Sequence, residues 1–201
     1  MVFEKDEKVG FFSGLAGCWD EISKHDREKI RYIVNILELN GNESILDVGT
    51  GTGVMIPFYH ERLTTGSVHA MDFSKEMIAH AMENCKVSGL KCTFDVADIC
   101  EMDCRDMFDV VVCYSCFPHF YDKERAIHNM WRSLRQGGML MIAHSSSRNH
   151  INHVHGTASS TVNHDMLPCI CSLERMLSSD GFKMIHRQDD DEFYIIAGRK
   201  Q

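Results

Sequence analysis

The sequence predicts one α/β domain: a seven-stranded, mostly parallel sheet with helices on both faces and an antiparallel hairpin at its C-terminal end. Three observations carry this expectation. Short apolar runs alternate with amphipathic helical segments between Ile30 and His144, and parallel neighbours need such crossover connections and bury both faces of their sheet. After that, FKMIHRQ and EFYIIAGRK flank only the polar turn DDD, which is too short for a crossover. Finally, 201 residues with 44% hydrophobic content suffice for one buried core and not for two ordinary domains.

Taken in order, Ile30, Ile33, Val34 and Leu37 recur at helical spacing until Asn40-Gly41 ends the pattern. The run from Ser44 to Gly49 is short, apolar and bounded by turn residues, as a buried strand should be. It enters a glycine loop, after which a helix should carry Pro57 near its first turn, where a missing amide donor costs little. SVHAMD (67–72) is the next strand. Ser74 is placed to cap a helix with Met77, Ile78, Ala81, Met82 and Cys85 on one face and Gly89 at its end. CTFDVAD (92–98) and FDVVVCYS (108–115) supply two more strands. The stretch DKERAIHNMWRSLRQGG should form a helix capped by Asp122 and stopped by Gly137-Gly138, and GGMLMIAHSS a fifth strand. A helix near CSLERMLSSDG precedes the terminal hairpin. Two segments fall outside this alternation, an N-terminal stretch (1–29) that could serve as a lid and a polar insertion (145–168).

A formal net charge of −8 leaves no broad basic surface to neutralise a phosphate backbone, so nucleic acid is not an expected partner. No stretch approaches the ~20 apolar residues needed to cross a bilayer, and MVFEKDEKVG is too polar for a signal peptide. A soluble, cytoplasmic protein that does not engage membranes is therefore expected, and a homodimer is one arrangement the chain allows. The nine cysteines, an odd number without an export signal, are expected to be reduced thiols.

The loop Asp47-Val48-Gly49-Thr50-Gly51-Thr52-Gly53 is the first chemical signal. A strand that ends in a glycine-rich turn and opens a helix lets backbone amides approach a ligand closely. The pattern is D-x-G-x-G-x-G rather than the G-x-G-x-x-G of dinucleotide sites, although an adenine-dinucleotide oxidoreductase would use the same logic. Asp72 ends the second strand, where a carboxylate can accept hydrogen bonds from both hydroxyls of a ribose. Asp98 ends the third, where it can accept from an exocyclic adenine amine. Both lie at the carboxyl ends of strands, the ligand edge of an open parallel sheet.

With these residues the chain resembles the class I S-adenosylmethionine-dependent methyltransferases, particularly the small-molecule group that includes the ubiquinone and menaquinone enzymes. The resemblance runs from about Ile30 to His144 and over the terminal hairpin. It implies a Rossmann-like fold and methyl transfer from S-adenosylmethionine to a small-molecule acceptor. By that resemblance the glycine loop cradles the methionine portion, Asp72 holds the ribose and Asp98 the adenine. FDVVVCYSCFPHF matches the strand bordering methionine and acceptor, which places Cys113 and Tyr114 beside the cofactor and His119 beside the acceptor. The expected cofactor set is Asp47, Gly49, Thr50, Gly51, Gly53, Asp72, Phe73, Met77, Asp98, Ile99 and Cys113, with His119 and Tyr114 as catalytic candidates. A non-catalytic cofactor-binding sensor or partner subunit is the alternative, because no base is assignable from sequence.

Five of the twelve histidines, His144, His150, His153, His155 and His164, fall within 21 residues. Neutral imidazole is a common transition-metal ligand, and a divalent metal there would lower the pKa of an acceptor oxygen or nitrogen. His119, His144 and His155 are the expected ligands. Polar loops also carry histidines with no metal, and no H-E-x-x-H or repeated C-x-x-C fixes a geometry here. Arg148 and Asn152 lie in the same insertion and are the alternative candidates, for orienting a polar or anionic acceptor. Cys113 and Cys116 form one C-x-x-C, which alone cannot complete a tetrahedral zinc site.

Overall fold

The computed structural model describes residues 2–86 and 91–201. Its centre is a seven-stranded sheet in the order β3-β2-β1-β4-β5-β7-β6, formed by β1 (Ser44–Val48), β2 (Ser67–Asp72), β3 (Lys91–Val96), β4 (Phe108–Tyr114), β5 (Leu134–His144), β6 (Phe182–Asp189) and β7 (Tyr194–Lys200). Strands β1 to β5 pair in parallel, whereas β7 runs antiparallel to both β5 and β6. The Rossmann-like sheet with its C-terminal hairpin is thus as expected. Successive crossovers step outward from β1 to β2 and β3, and then return to β4 and β5 on its other side. The order therefore reverses between β1 and β4, where the loops leaving the two strands diverge and open a crevice.

Both faces of the sheet are covered. Ile30, Ile33 and Val34 of α3 (Arg27–Ile36) and Phe58 and Tyr59 of α4 (Ile56–His60) pack with Ile45, Val110, Val112 and Met141 on one face. On the other, Ile127 and Met130 of α6 (Lys123–Ser133) and Leu173 and Leu177 of α8 (Ile170–Ser179) meet Val111, Leu140, Ile142 and Ile196. Pro57 sits in the first turn of α4, as expected. Asp26, Ser74 and Asp122 cap α3, α5 (Lys75–Asn84) and α6 by accepting amide hydrogen bonds. Of the expected buried face of α5, Met77, Ile78 and Ala81 are inside and Met82 is exposed. The expected stop at Gly89 lies outside the described residues.

Three boundaries differ from expectation. Helix α6 ends at Ser133 and β5 starts at Leu134, because Leu134 pairs with Phe108 before a register shift is absorbed near Gly137, which has φ +76°. β3 ends at Val96, so Asp98 lies two residues past the strand. The polar insertion contains a helix, α7 (Arg148–Gly156), with no buried residue. The N-terminal stretch is helical too: α1 (Val2–Leu15), a 3-10 turn, and α2 (Trp19–Ile22). Phe12 and Ala16 close a small third core with Met77 and Val162, so this layer packs on α5 and the insertion. No described helix is long and apolar enough to cross a membrane.

Candidate functional site

The loop after β1 is held open by its own residues. Gly49, Gly51 and Gly53 all have positive φ, at +65°, +56° and +87°, a region that side chains disfavour. Asp47 is 1% exposed and accepts hydrogen bonds from Thr50 Oγ1 at 2.6 Å and Tyr59 Oη at 3.0 Å. Both of its oxygens thus brace the loop from behind. Burial raises its pKa to about 6 despite those two donors. Asp72, at the end of β2, accepts from Gly51 N at 3.0 Å and Ser74 N at 2.9 Å. Burial likewise lifts it to about 6.

Beyond this loop lies a cavity that opens at one side to solvent. Its lining includes Asp47, Gly49, Thr50, Gly51, Asp72, Phe73, Met77, Asp98 and Ile99, most of the cofactor set expected from sequence. Two members are not in the wall. A Cβ on Gly53 would meet Cys85 Sγ and Ile56 Cδ1 at 3.3 Å, so this glycine serves packing between the loop and its helices. Cys113 is fully buried, and Cys116 lines the cavity in its place with its Sγ 3.1 Å from that of Cys113. All nine cysteines are free.

The wall has the chemistry of an adenosine site. At Gly51 an added Cβ would have only Trp19 Nε1 nearby, at 3.8 Å, so the backbone faces open space. The Asp98 carboxylate is nearly buried, accepts from Cys100 N at 2.8 Å and lies 3.1 Å from Lys5 Nζ of α1. Two carboxylates and a bare backbone edge therefore share one cavity, matched to hydroxyls and an exocyclic amine. Phe12 and Trp19 close it from the N-terminal side. That layer is tied down at three points: Lys5 on Asp98, Asp20 accepting from Thr52 Oγ1 at 2.5 Å, and Lys8 Nζ 2.7 Å from Asp165 Oδ1.

A second cavity adjoins the first and shares Phe12, Trp19, Ser23, His25, Ser115 and His119 with it. His119 stands at the junction. Its Nδ1 donates to Asp165 Oδ2 at 2.8 Å, which leaves Nε2 as the basic nitrogen. Burial lowers the His119 pKa more than Asp165 raises it, so the ring is neutral at pH 7. Burial alone would raise Asp165, yet the hydrogen bonds from His119 and Lys8 hold it below the ordinary carboxylate range. Tyr114, the other catalytic candidate, is pushed up to about 12 by burial. Its hydroxyl sits 2.7 Å from Ser145 Oγ and 2.9 Å from His25 Nδ1, in a hydrogen-bonded chain along the cavity boundary.

The expected metal site is not formed. His119, His144 and His155 all line the second cavity, but His155 Nδ1 donates to the Asp165 carbonyl and His119 Nδ1 to its carboxylate. Among the described residues no three His, Cys, Asp or Glu side chains converge to hold a metal ion. Arg148 and Asn152 are also engaged elsewhere, with Arg148 3.4 Å from Asp189 and Asn152 bonded to both backbone groups of Leu167.

Sequence reasoning overlooked Lys8 and the pairing of Asp165 with His119. One signal was present: Lys8 precedes Phe12 and Leu15 at helical spacing, which places a cation on an apolar face. Lysines there are rarely buried without a partner.

Comparison with known proteins bears on the same segment. Residues 45–138 match the family described as "Methyltransferase domain". Over that segment, somewhat under half of its length, the chain is similar to the methyltransferases of this family. It is 34% identical over 110 residues to a phosphatidylethanolamine N-methyltransferase of Cereibacter sphaeroides, covering 52% of this chain and 51% of that protein. With a demethylmenaquinone methyltransferase of Thermus thermophilus it shares 34% identity over 137 residues, 65% of this chain and 62% of the relative. The chain spans about half the length of several such relatives. Among solved structures, magnesium protoporphyrin IX methyltransferase from Synechocystis, with bound SAH, superposes with a TM-score of 0.74 at 14% identity, covering 98% of this chain and 100% of that one. A SAM-dependent methyltransferase from Aquifex aeolicus gives 0.74 at 14%, with 92% and 98% covered. At these identities the likeness is one of fold. The aligned family segment contains the glycine loop, Asp72, Asp98 and the β4 exit, and it ends before the histidine-rich insertion.

Proposed function

We propose that this chain is a methyltransferase that binds S-adenosylmethionine in the first cavity and directs methyl transfer to a small molecule in the second. One observation carries the reading: the glycine loop, Asp72 and Asp98 line one cavity that meets a second at a shared wall containing His119, whose ring is neutral and oriented by Asp165. Asp72 would accept hydrogen bonds from the ribose and Asp98 from the adenine amine, with the Gly49–Gly53 loop against the methionine portion. The cofactor supplies an already activated methyl group. The chain's task is then to align the acceptor, exclude water and take up a proton.

His119 is suited to the last of these. Asp165 fixes its tautomer, and Lys8 in turn positions Asp165, so that Nε2 is presented as a base without rotating. Tyr114 retains its proton at neutral pH and acts as a donor in the boundary chain. Phe12 and Trp19 shield both cavities, which suits the N-terminal layer to the role of a lid. A base held in this way weakens the case for a non-catalytic sensor, and the family match over residues 45–138 favours a methyl donor over a dinucleotide.

Titration calorimetry with S-adenosylmethionine and S-adenosylhomocysteine tests the reading. Saturable 1:1 binding of both is expected. Failure of both to bind, in folded protein, would refute it.

A further inference from the structure

The second cavity has walls of one electrostatic character. Its ionisable side chains are Lys24, His25, His119, His144, His150 and His155, and no carboxylate lines it among the described residues. Asp165, which touches the wall through His119, is spent on His119 and Lys8. A cationic acceptor would thus meet no counter-charge, and its desolvation would go uncompensated. The remaining wall is largely apolar. Ile22 of α2 and Val154 of α7 both line the cavity while remaining 59% and 46% exposed, which gives it an apolar mouth between the N-terminal layer and the insertion.

Two imidazole nitrogens inside have chemistry to offer. His119 presents Nε2. His144, only 3% exposed, has an Nε2 without any hydrogen-bond partner. A buried polar atom left unpaired is costly, and where the protein supplies no partner a ligand can. Burial, with His119, His155 and His25 close by, lowers the His144 pKa to about 3, so the ring stays neutral.

We infer that this cavity takes an apolar acceptor, entering between Ile22 and Val154, whose weakly acidic hydroxyl meets His119 Nε2 and lies within reach of His144 Nε2. The inference rests on the methyl-transfer reading above and names its acceptor class. In the step, the hydroxyl oxygen forms the new bond to the methyl carbon. The carbon–sulfur bond breaks with its electron pair left on sulfur, and the hydroxyl proton passes to His119 Nε2. Products are the methyl ether, S-adenosylhomocysteine and protonated His119, which returns its proton to solvent.

The test uses the full chain saturated with S-adenosylhomocysteine and three probes of matched apolar body: 4-butylphenol, 4-butylanisole and 4-butylbenzylamine. Trp19 lines both cavities, so quenching of its fluorescence reports occupancy, with a Trp131→Phe background removing the only other tryptophan. The phenol should bind at least about tenfold more tightly than either partner probe, the loss expected for one buried hydrogen bond to a hydroxyl. Equal or tighter binding of the benzylammonium, or of the ether that lacks a proton to give, would overturn the inference. So would failure of all three while the product cofactor binds. If the cofactor itself does not bind, the underlying reading fails instead.

Turnover separates a base from a merely structural histidine. With S-adenosylmethionine, His119→Gln should slow methylation of 4-butylphenol by about 100-fold or more. At pH 8 the same variant should slow an already ionised 4-nitrophenol far less, because no proton remains to be removed. Equal losses on both phenols would show that His119 is not the base.

Discussion

The two cavities differ in how they are built. Around the cofactor cavity, the hydrogen bonds that brace the loop and the two strand-end carboxylates come mainly from near neighbours in sequence or from the adjacent strand, with Lys5 and Asp20 of the N-terminal layer added from outside. Asp47 binds Thr50, Asp72 binds Ser74 and Gly51, and Asp98 binds Cys100. Around the second cavity the key contacts span the chain: Lys8 to Asp165 across 157 residues and His119 to Asp165 across 46. His144 Nε2 has no hydrogen-bond partner. Short-range closure makes the first site a rigid part of the core, able to recur wherever β1 and β2 are kept. Long-range closure makes the second depend on the N-terminal layer and the insertion, elements that can change without disturbing the sheet. A common donor site beside an individually shaped acceptor site follows from that division.

Substitutions should separate the two halves. His119→Gln is expected to have the largest effect, lowering the rate on a protonated acceptor by about 10²–10⁴-fold with S-adenosylhomocysteine affinity unchanged, as rate and calorimetry together would show. An equal loss of cofactor affinity would mean that the two sites are not separable. Next comes Gly49→Ala. Its Cβ would lie 2.6 Å from Cys116 Sγ, at a φ of +65°, and strain plus overpacking should cost roughly 3 kcal/mol. A fall in Tm of about 6–12 °C is the corresponding signal in a melting curve.

Asp72→Asn should weaken cofactor binding by about 10–100-fold, the value of charge-assisted hydrogen bonds, and lower Tm by a few degrees, because its NH2 faces the backbone N–H of Gly51 or Ser74 that a carboxylate oxygen had accepted. The wild-type protein should show a related pH dependence. Asp72 has a raised pKa of about 6, so its carboxylate loses its charge as pH falls through 6, and calorimetric affinity for the cofactor should decline from there downward. Affinity that is flat between pH 7 and 5 would remove Asp72 from the contact.

The smallest effect is expected at His144. His144→Phe keeps a ring and removes an unpaired buried nitrogen, so stability at pH 7 should rise by about 1 kcal/mol, or a few degrees in Tm. Acid stability should change as well. The folded-state pKa of His144 is depressed to about 3 while the unfolded chain titrates near 6.5. The unfolded state therefore binds the extra proton first, and stability is lost as pH falls from 6.5 towards 3. The variant should lose less over that window. Asp47 and Asp72, raised to about 6, act oppositely: the folded state takes up their protons first, so their contribution stabilises as pH falls from 6 towards 4. The comparison is accordingly of variant against wild type rather than of absolute slopes.

The same division explains what sequence could show. The strands were legible because burial on both faces leaves runs such as VVVCY in β4, and the caps because Ser74 and Asp122 act on amides three residues away. Asp72 and Asp98 were legible because strand ends define a ligand edge. Helix α7 was not, since RNHINHVHG has only Ile151 and Val154 as apolar positions and buries neither fully. Histidine clustering suggested a metal because ligand type shows in sequence while direction does not, and two of the three rings turn out to point a nitrogen at Asp165. Lys8 and Asp165 are too far apart in sequence for any local pattern to couple them.

On the proposed reading the donor and acceptor cavities meet at His119. A crystal structure with S-adenosylhomocysteine bound tests it most directly. The ribose should contact Asp72, the adenine should lie towards Asp98, and the sulfur should face the shared wall of Ser115 and His119. A product cofactor seated with its sulfur turned away from that wall, or with its adenine there instead, would contradict the claim.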